Sequence, residues 1–359
     1  MSRRTGRAIV KTPFALTILL VIAGSVYAGD VPLVRYAVAT RIAGPPTGSW
    51  DYAIIDPHSR KLYLASDGIL VLDLGSQTVR RLNVAGKSMH GLALIDDGVL
   101  AVADGARNQV EFFDGATGNI LSSVATGAPP TSDGWHNPDA LLVEPVSGLL
   151  VAVNGDSGAI VLIDTKTRVR VGDIKIGGKL EFAAAIGDGL VAVNIESRDT
   201  IAVVDVVHRK VVRKIAMKHC DSPTGLAYDQ IDRLAISVCS NGVAKFVDPH
   251  LGLEVASRHV GKGADAILYD PMRRTAFATA GDDGTLTVIA VNGRKDIKVT
   301  QTINTEPGVR LGAIDIETGR LYLPAVRYDK SLQPIILPGL PPMPAPIPDT
   351  FEFLVAGGI

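Results

Sequence analysis

One phrase, written again and again, limits the folds open to this chain. Residues 148–167 read GLLVAVNGDSGAIVLIDTKT: an apolar strand, a turn, a second apolar strand ending in Asp164, then a polar stop. The ending VLID returns as VLD at Asp73, FFD at Asp114, VVD at Asp205 and FVD at Asp248. VIA at Ala290 holds the same place without the acid. Successive endings lie 41 to 50 residues apart, and the longest interval carries an insertion, PPTSDGWHN. A period of about 40 residues with several strands per unit is the mark of a β-propeller.

Each unit runs in one order. A short strand such as DALLV or DAILY comes first, followed by a turn such as EPVSG or DPMRR. A buried strand, a Gly/Asp/Ser loop, the VLID strand, a turn and an outer strand complete it. No segment keeps a 3.6-residue period between helix caps, so a helical reading fails. Six complete units lie between Trp50 and Gly308. A seventh begins at Arg310 with LGAIDIETGRLYLPAV and is interrupted by a Pro-rich loop, residues 331–350. Proline cannot donate ladder bonds, so that run is expected to be extended loop. TFEFLVAGG then supplies a third strand, and VRYAVATRIAG, residues 34–44, stands spare for the fourth. The expectation is an all-β, seven-bladed β-propeller closed by pairing of an N-terminal strand with the C-terminal blade, which removes open sheet edges.

The repeats resemble those of the YncE-like family of YVTN-repeat β-propeller proteins. The matching stretches are MHGLAL, HNPDALLVEP, LEFAAAIGDG, HCDSPTGLAYD with SVCSNG, GADAILYDP, GVRLGAIDIETGRLYLPAV and the closing TFEFLVAGG. They span nearly the whole chain after residue 28. The YVTN tetrapeptide itself is degraded to LYLA, LAVA and LVAV. The resemblance implies a seven-bladed ring in an exported bacterial protein. It implies little about activity, because propellers host many functions.

The first 28 residues stand apart. Arg3, Arg4, Arg7 and Lys11 precede an apolar run from Phe14 to Val26, and Val26-Tyr27-Ala28 fits a signal-peptidase site. The expected organisation is a signal peptide, 1–28, and one propeller domain, 29–359, in the periplasm or secreted, with no membrane span after cleavage. Removing the four basic residues leaves 32 Lys/Arg against 37 Asp/Glu, a net charge of −5. That balance lacks the footprint for a phosphate backbone and argues against nucleic acid. In an oxidising compartment Cys220 and Cys239, the two cysteines, are expected to form a disulfide. The TGLAYD and LAISVCS strands should form a hairpin that brings them together.

Aligning the units on the inner strand gives one residue per blade just before its apolar run. These are Asp51, His90, Asp139, Glu181, Thr224, Asp265 and Arg310. In a propeller the innermost strands line the central channel, so these seven should converge at its mouth. Turn chemistry alone would be served by Ser, Asn or Gly. Four acids on a narrow channel repel unless a cation, a proton or Arg310 compensates them, and shifted carboxylates mark a functional site. Trp135 and His136 in the insertion are expected beside Asp139, where an aromatic could hold an organic cation. His219 should face the same mouth.

No GxSxG elbow, P-loop, GxGxxG or HExxH motif is present. No motif requires a cofactor, and a bound cation is the one the ring could accept. The preferred reading is a monomeric binding or interaction protein whose acid-rich funnel meets a small ligand, a cell-envelope component or a protein partner. The alternative is an enzyme in the same funnel, a metal-dependent lactonase-like hydrolase or a quinoprotein-like oxidoreductase.

Overall fold

Runs such as LLVAVN are apolar at every position because each strand is covered on both sides. Leu150 and Ala152 point toward the preceding blade, and Val151 and Val153 toward the following one. A strand buried on both faces reads as a continuous apolar run rather than an alternation. The computed structural model describes residues 1, 34–82, 84, 88–127, 138–329, 331 and 345–359. Trp135 and His136, residues 2–33 of the N-terminal segment and residues 332–344 of the Pro-rich loop lie outside that set.

Seven four-stranded antiparallel sheets make up the ring. Their first strands are Trp50–Asp56, Met89–Ile95, Pro138–Glu144, Leu180–Gly187, Pro223–Asp229, Ala264–Asp270 and Ala313–Asp315, which define blades 1 to 7. Each first strand touches the first strands of the blades on either side, and blade 7 touches blade 1, so the inner circle closes. There is no single central core. Seven hydrophobic clusters occupy the seven junctions between adjacent blades. Among the described residues the only helical pieces are two short 3-10 turns, Asp96–Gly98 and Glu196–Arg198, and no helix is long and apolar enough to cross a membrane.

Blade 7 is assembled from both ends of the chain. Tyr36–Ala43 pairs antiparallel with Glu352–Gly358 as the outer strand. Arg41 fastens that strand to Glu352 and, at 2.9 Å, to Glu306. Tyr36 packs edge-on against Phe277 at 4.9 Å, and its amide donates to Gln301. One sequence expectation needs refinement. The Pro-rich segment is not free of pairing at its end, because Tyr328 and Asp329 pair with Pro346 and Ala345. Proline is tolerated there because a two-residue edge pairing does not require its missing N–H.

The recurring Asp of the third strand holds the turn to the fourth. Asp164 accepts the backbone N–H groups of Lys166 and Thr167, at 3.1 and 2.7 Å, and the Thr167 hydroxyl at 2.8 Å. Asp73 and Asp114 repeat the arrangement with Ser76 and Thr117. This is a side-chain mimic of a backbone turn, which explains why five of the six endings stop on an acid.

The Cys220–Cys239 disulfide is present, with a Cα separation of 5.3 Å. Cys239 pairs in the ladder with Pro223, so the hairpin brings the two cysteines together as the sequence suggests.

Candidate ligand site where the inner strands begin

Six of the seven singled-out residues share one backbone device. In blade 3 the ladder pairs Pro138 with Asn154, then resumes at Leu141 with Ala152. Asp139 and Ala140 therefore oppose the single residue Val153. The same two-against-one bulge falls at Asp51-Tyr52, His90-Gly91, Glu181-Phe182, Thr224-Gly225 and Asp265-Ala266. A bulge frees a residue from the ladder and re-aims its side chain. Arg310 is the exception: it precedes the short first strand of blade 7.

Freed bulge carbonyls need other donors. Buried Asn194 of blade 4 donates to the carbonyls of Thr224 and Gly225, at 2.7 and 3.2 Å. The Thr279 hydroxyl meets the Ala266 carbonyl at 3.2 Å and the Arg310 carbonyl. The bulges also sit close to one another. A Cβ on Gly91 would lie 2.1 Å from the Asp139 carbonyl, and one on Gly225 2.6 Å from that of Asp265. Glycine is required at both places by this approach.

The residue after each bulge acid sets what lies beside it. Tyr52 and Phe182 come from blades 1 and 4, which are not neighbours, yet their ring centroids are 4.5 Å apart. Tyr52 packs against the cluster between blades 3 and 4, and Phe182 against that between blades 7 and 1. The pair bridges the inner circle. The Tyr52 hydroxyl is buried and has no hydrogen-bond partner among the described residues. Burial, then the charges of Asp139, Asp51, Glu181 and Asp265, push its pKa well up.

The polar groups fall into three sets. His90 Nδ1 lies 2.7 Å from Asp51 Oδ2 and 3.9 Å from Asp139 Oδ1, and His90 Nε2 lies 3.0 Å from Ser88 Oγ. Lys179 is held between Glu181, at 2.9 Å, and Glu196. Arg310 Nε stands 4.0 Å from Asp265 Oδ2 with most of its side chain in solvent, so it compensates one acid weakly rather than the whole ring. Thr224 gives its hydroxyl to the Ala264 carbonyl, at 3.1 Å. His219 is exposed on the loop ahead of Thr224, its carbonyl accepting the Asn241 amide.

Electrostatics follow from this placement. Burial, with the Asp51 charge added, raises Asp139 to about 7. Burial and Asp139 raise Glu181 to about 9, against the opposing pull of Lys179. Burial raises Asp265 to about 6 despite Arg310. Burial pulls His90 down, but its hydrogen bond to Asp51 and that carboxylate's charge outweigh it, and the imidazole is raised. These residues act on one another across blades 1 to 4 and 6. Tyr52, Phe182, Lys179 and Glu196 are members that the aligned position misses. Lys179 had a signal: it stands two residues before Glu181, just ahead of the strand.

No known protein-family profile and no curated protein matches the sequence. Solved structures match the fold. A chain of Kuenenia stuttgartiensis hydrazine synthase superposes with a TM-score of 0.66 at 12% identity, over 79% of this chain and 94% of that one. A chain in the crystal structure of the mitotic checkpoint complex superposes with a TM-score of 0.67 at 13% identity, over 90% of this chain and 96% of that one. At such identities the likeness concerns the β-propeller scaffold alone.

Proposed function

We propose that the protein is an exported binding module. After cleavage at residue 28, residues 29–359 form a monomeric propeller whose acid-rich funnel takes a small cationic or hydrogen-bonding ligand. The funnel mouth is the end where the inner strands begin, and Tyr52 and Phe182 meet across the inner circle there. One observation carries the reading. Six blades spend a bulge at the same place, and the acids it presents accept no backbone donor among the described residues. Asp139 makes no hydrogen bond there, and its nearest basic nitrogen is 3.9 Å away. Desolvated acids that repel one another oppose folding, and such groups gather at functional sites. The disulfide fits an oxidising compartment. The resemblance to the YncE-like propellers fits an exported protein, and a rigid ring also suits a cell-envelope or protein partner.

The test is native mass spectrometry of the protein purified from the periplasm, with thermal unfolding in parallel. The wild type should begin at Gly29 and retain a small-molecule mass. Asp139→Asn and Glu181→Gln should lose at least about tenfold in occupancy, since a charged hydrogen bond contributes about 1.5–3 kcal/mol. Both should unfold within about 0.5–1 kcal/mol of wild type. No retained mass, or equal retention by both variants, would contradict the proposal.

A further inference from the structure

We infer that Asp51, His90 and Asp139 form a binding site for one first-row divalent metal ion, of the Zn2+ or Mn2+ kind. The inference rests on the proposed binding role of the mouth and names what one side of it binds.

Three successive blades each contribute one donor atom. Those atoms, two carboxylate oxygens and an imidazole nitrogen, all lie within 4.8 Å of one another. Donors bound to one ion at lengths of about 2.0–2.2 Å stand about 3–3.5 Å apart. His90 Nδ1 is 2.7 Å from one partner and 3.9 Å from the other, so an ion requires only small side-chain adjustments. The second nitrogen of His90 is oriented by Ser88 at 3.0 Å, as the outer nitrogen of a metal-bound imidazole is oriented.

A second observation is independent of the three ligands. The Tyr52 hydroxyl, from the residue after Asp51, is buried with no hydrogen-bond partner among the described residues. A buried polar atom without a partner costs free energy unless something absent from the protein chain meets it. An ion-bound water would do so.

Elsewhere at the mouth the acids have a lysine or arginine side chain beside them. Glu181 and Glu196 share Lys179, and Asp265 faces Arg310. Among the described residues only the blade 1 to 3 side sets two carboxylates against one imidazole. A dication with a neutral imidazole balances them, leaving positions for water or a ligand atom. One nitrogen and two oxygens suit a first-row transition ion better than Ca2+ or Mg2+, which prefer oxygen alone.

The test uses the full mature chain stripped with a chelator. Zn2+ and Mn2+ are titrated separately by calorimetry, and Co2+ is added for its visible spectrum. One equivalent should bind, and bound Co2+ should show ligand-field bands. Asp51→Asn, His90→Ala and Asp139→Asn should each weaken binding at least tenfold. Glu181→Gln and Asp265→Asn, on the same mouth, should change it less than about threefold, as expected for one-site contacts rather than a diffuse field. If Asp139→Asn fails to fold, Asp51→Asn and His90→Ala carry the comparison. No saturable single site, or equal weakening by all five variants, overturns the metal site. A protein that takes up no metal yet retains a mass sensitive to Asp139→Asn overturns the metal site and leaves the binding module standing. Metal binding at the three residues alongside a retained mass indifferent to Asp139→Asn and Glu181→Gln does the reverse for the proposed funnel ligand.

Discussion

The two ends of the ring carry the same acidic residue types in opposite circumstances. At one end, Asp56, Glu144, Asp229, Asp270 and Asp315 close first strands, and Asp73, Asp114, Asp164, Asp205 and Asp248 close third strands. Each accepts backbone N–H groups from the turn ahead, as Asp270 does from Met272 and Arg273. Several gain an arginine from elsewhere: Arg60 holds Asp315 through two bonds of 2.8 and 2.7 Å, and Arg294 reaches Asp248 at 2.8 Å. Hydrogen bonds from the turn hold Asp164 and Asp114 below the usual range. In Asp315 burial would raise the carboxyl, but Arg60 and Thr318 hold it down. At the other end, Asp139, Glu181 and Asp265 are raised by burial and by neighbouring acids. Donors aimed at a carboxylate put it at the service of the fold; a desolvated carboxylate without them opposes the fold.

The largest effect expected is at the turn end. Asp270 is fully buried and engaged by two backbone amides and Arg273. Asp270→Ala strands those donors and should cost about 3 kcal/mol in urea unfolding. A loss below about 0.5 kcal/mol would break the contrast at once. A similar loss is expected at the other end from a covalent source rather than an acid. Replacing Cys220 and Cys239 by Ala reopens a loop of 19 residues' separation and should cost about 3 kcal/mol in the chain-entropy account.

Smaller effects sharpen the contrast through pH. Asp315 is depressed in the folded state, so its stabilisation is present above its unfolded pKa of 3.8 and is lost as pH falls through the folded value. Asp315→Asn should therefore be less stable than wild type by about 1–2 kcal/mol at pH 7 and should converge with it in strong acid. Glu181 has the reverse sign. Its folded pKa of about 9 lies above the model-peptide 4.5, so the folded state binds the extra proton between those values and stability falls as pH rises. Glu181→Gln should match wild type near pH 4 and gain on it steadily toward pH 9. Chemical unfolding at four or five pH values resolves both slopes.

The ring was legible in the residues because its physics repeats. Two-sided burial makes LLVAVN apolar throughout, and the turn acid recurs wherever a third strand ends. Closure by residues 34–44 was legible because a strand without a partner faced a blade without its fourth. The candidate site was legible as one polar residue ahead of each apolar run. Its bulge was not, since a bulge is a matter of register and Asp, His, Glu and Thr all occupy it. Tyr52 and Phe182 were hidden inside YAII and FAAAI, where an aromatic reads as core. Lys179 is local to Glu181 but falls outside the aligned position, and Glu196 joins them only through the fold. The turn role of Asp164 had a local sign in the Thr three residues later, the same spacing as Asp73 with Ser76 and Asp114 with Thr117.

The contrast between the two ends rests on where individual carboxyl groups titrate, which carboxyl-labelled NMR measures residue by residue in metal-free protein. Asp139 should titrate near 7 and Glu181 near 9, while Asp114, Asp164 and Asp315 should titrate below the ordinary 3.8. If Asp139 and Glu181 instead titrate with the turn acids below 4, the acids at the inner-strand bulges are stabilised like any others and the account is contradicted.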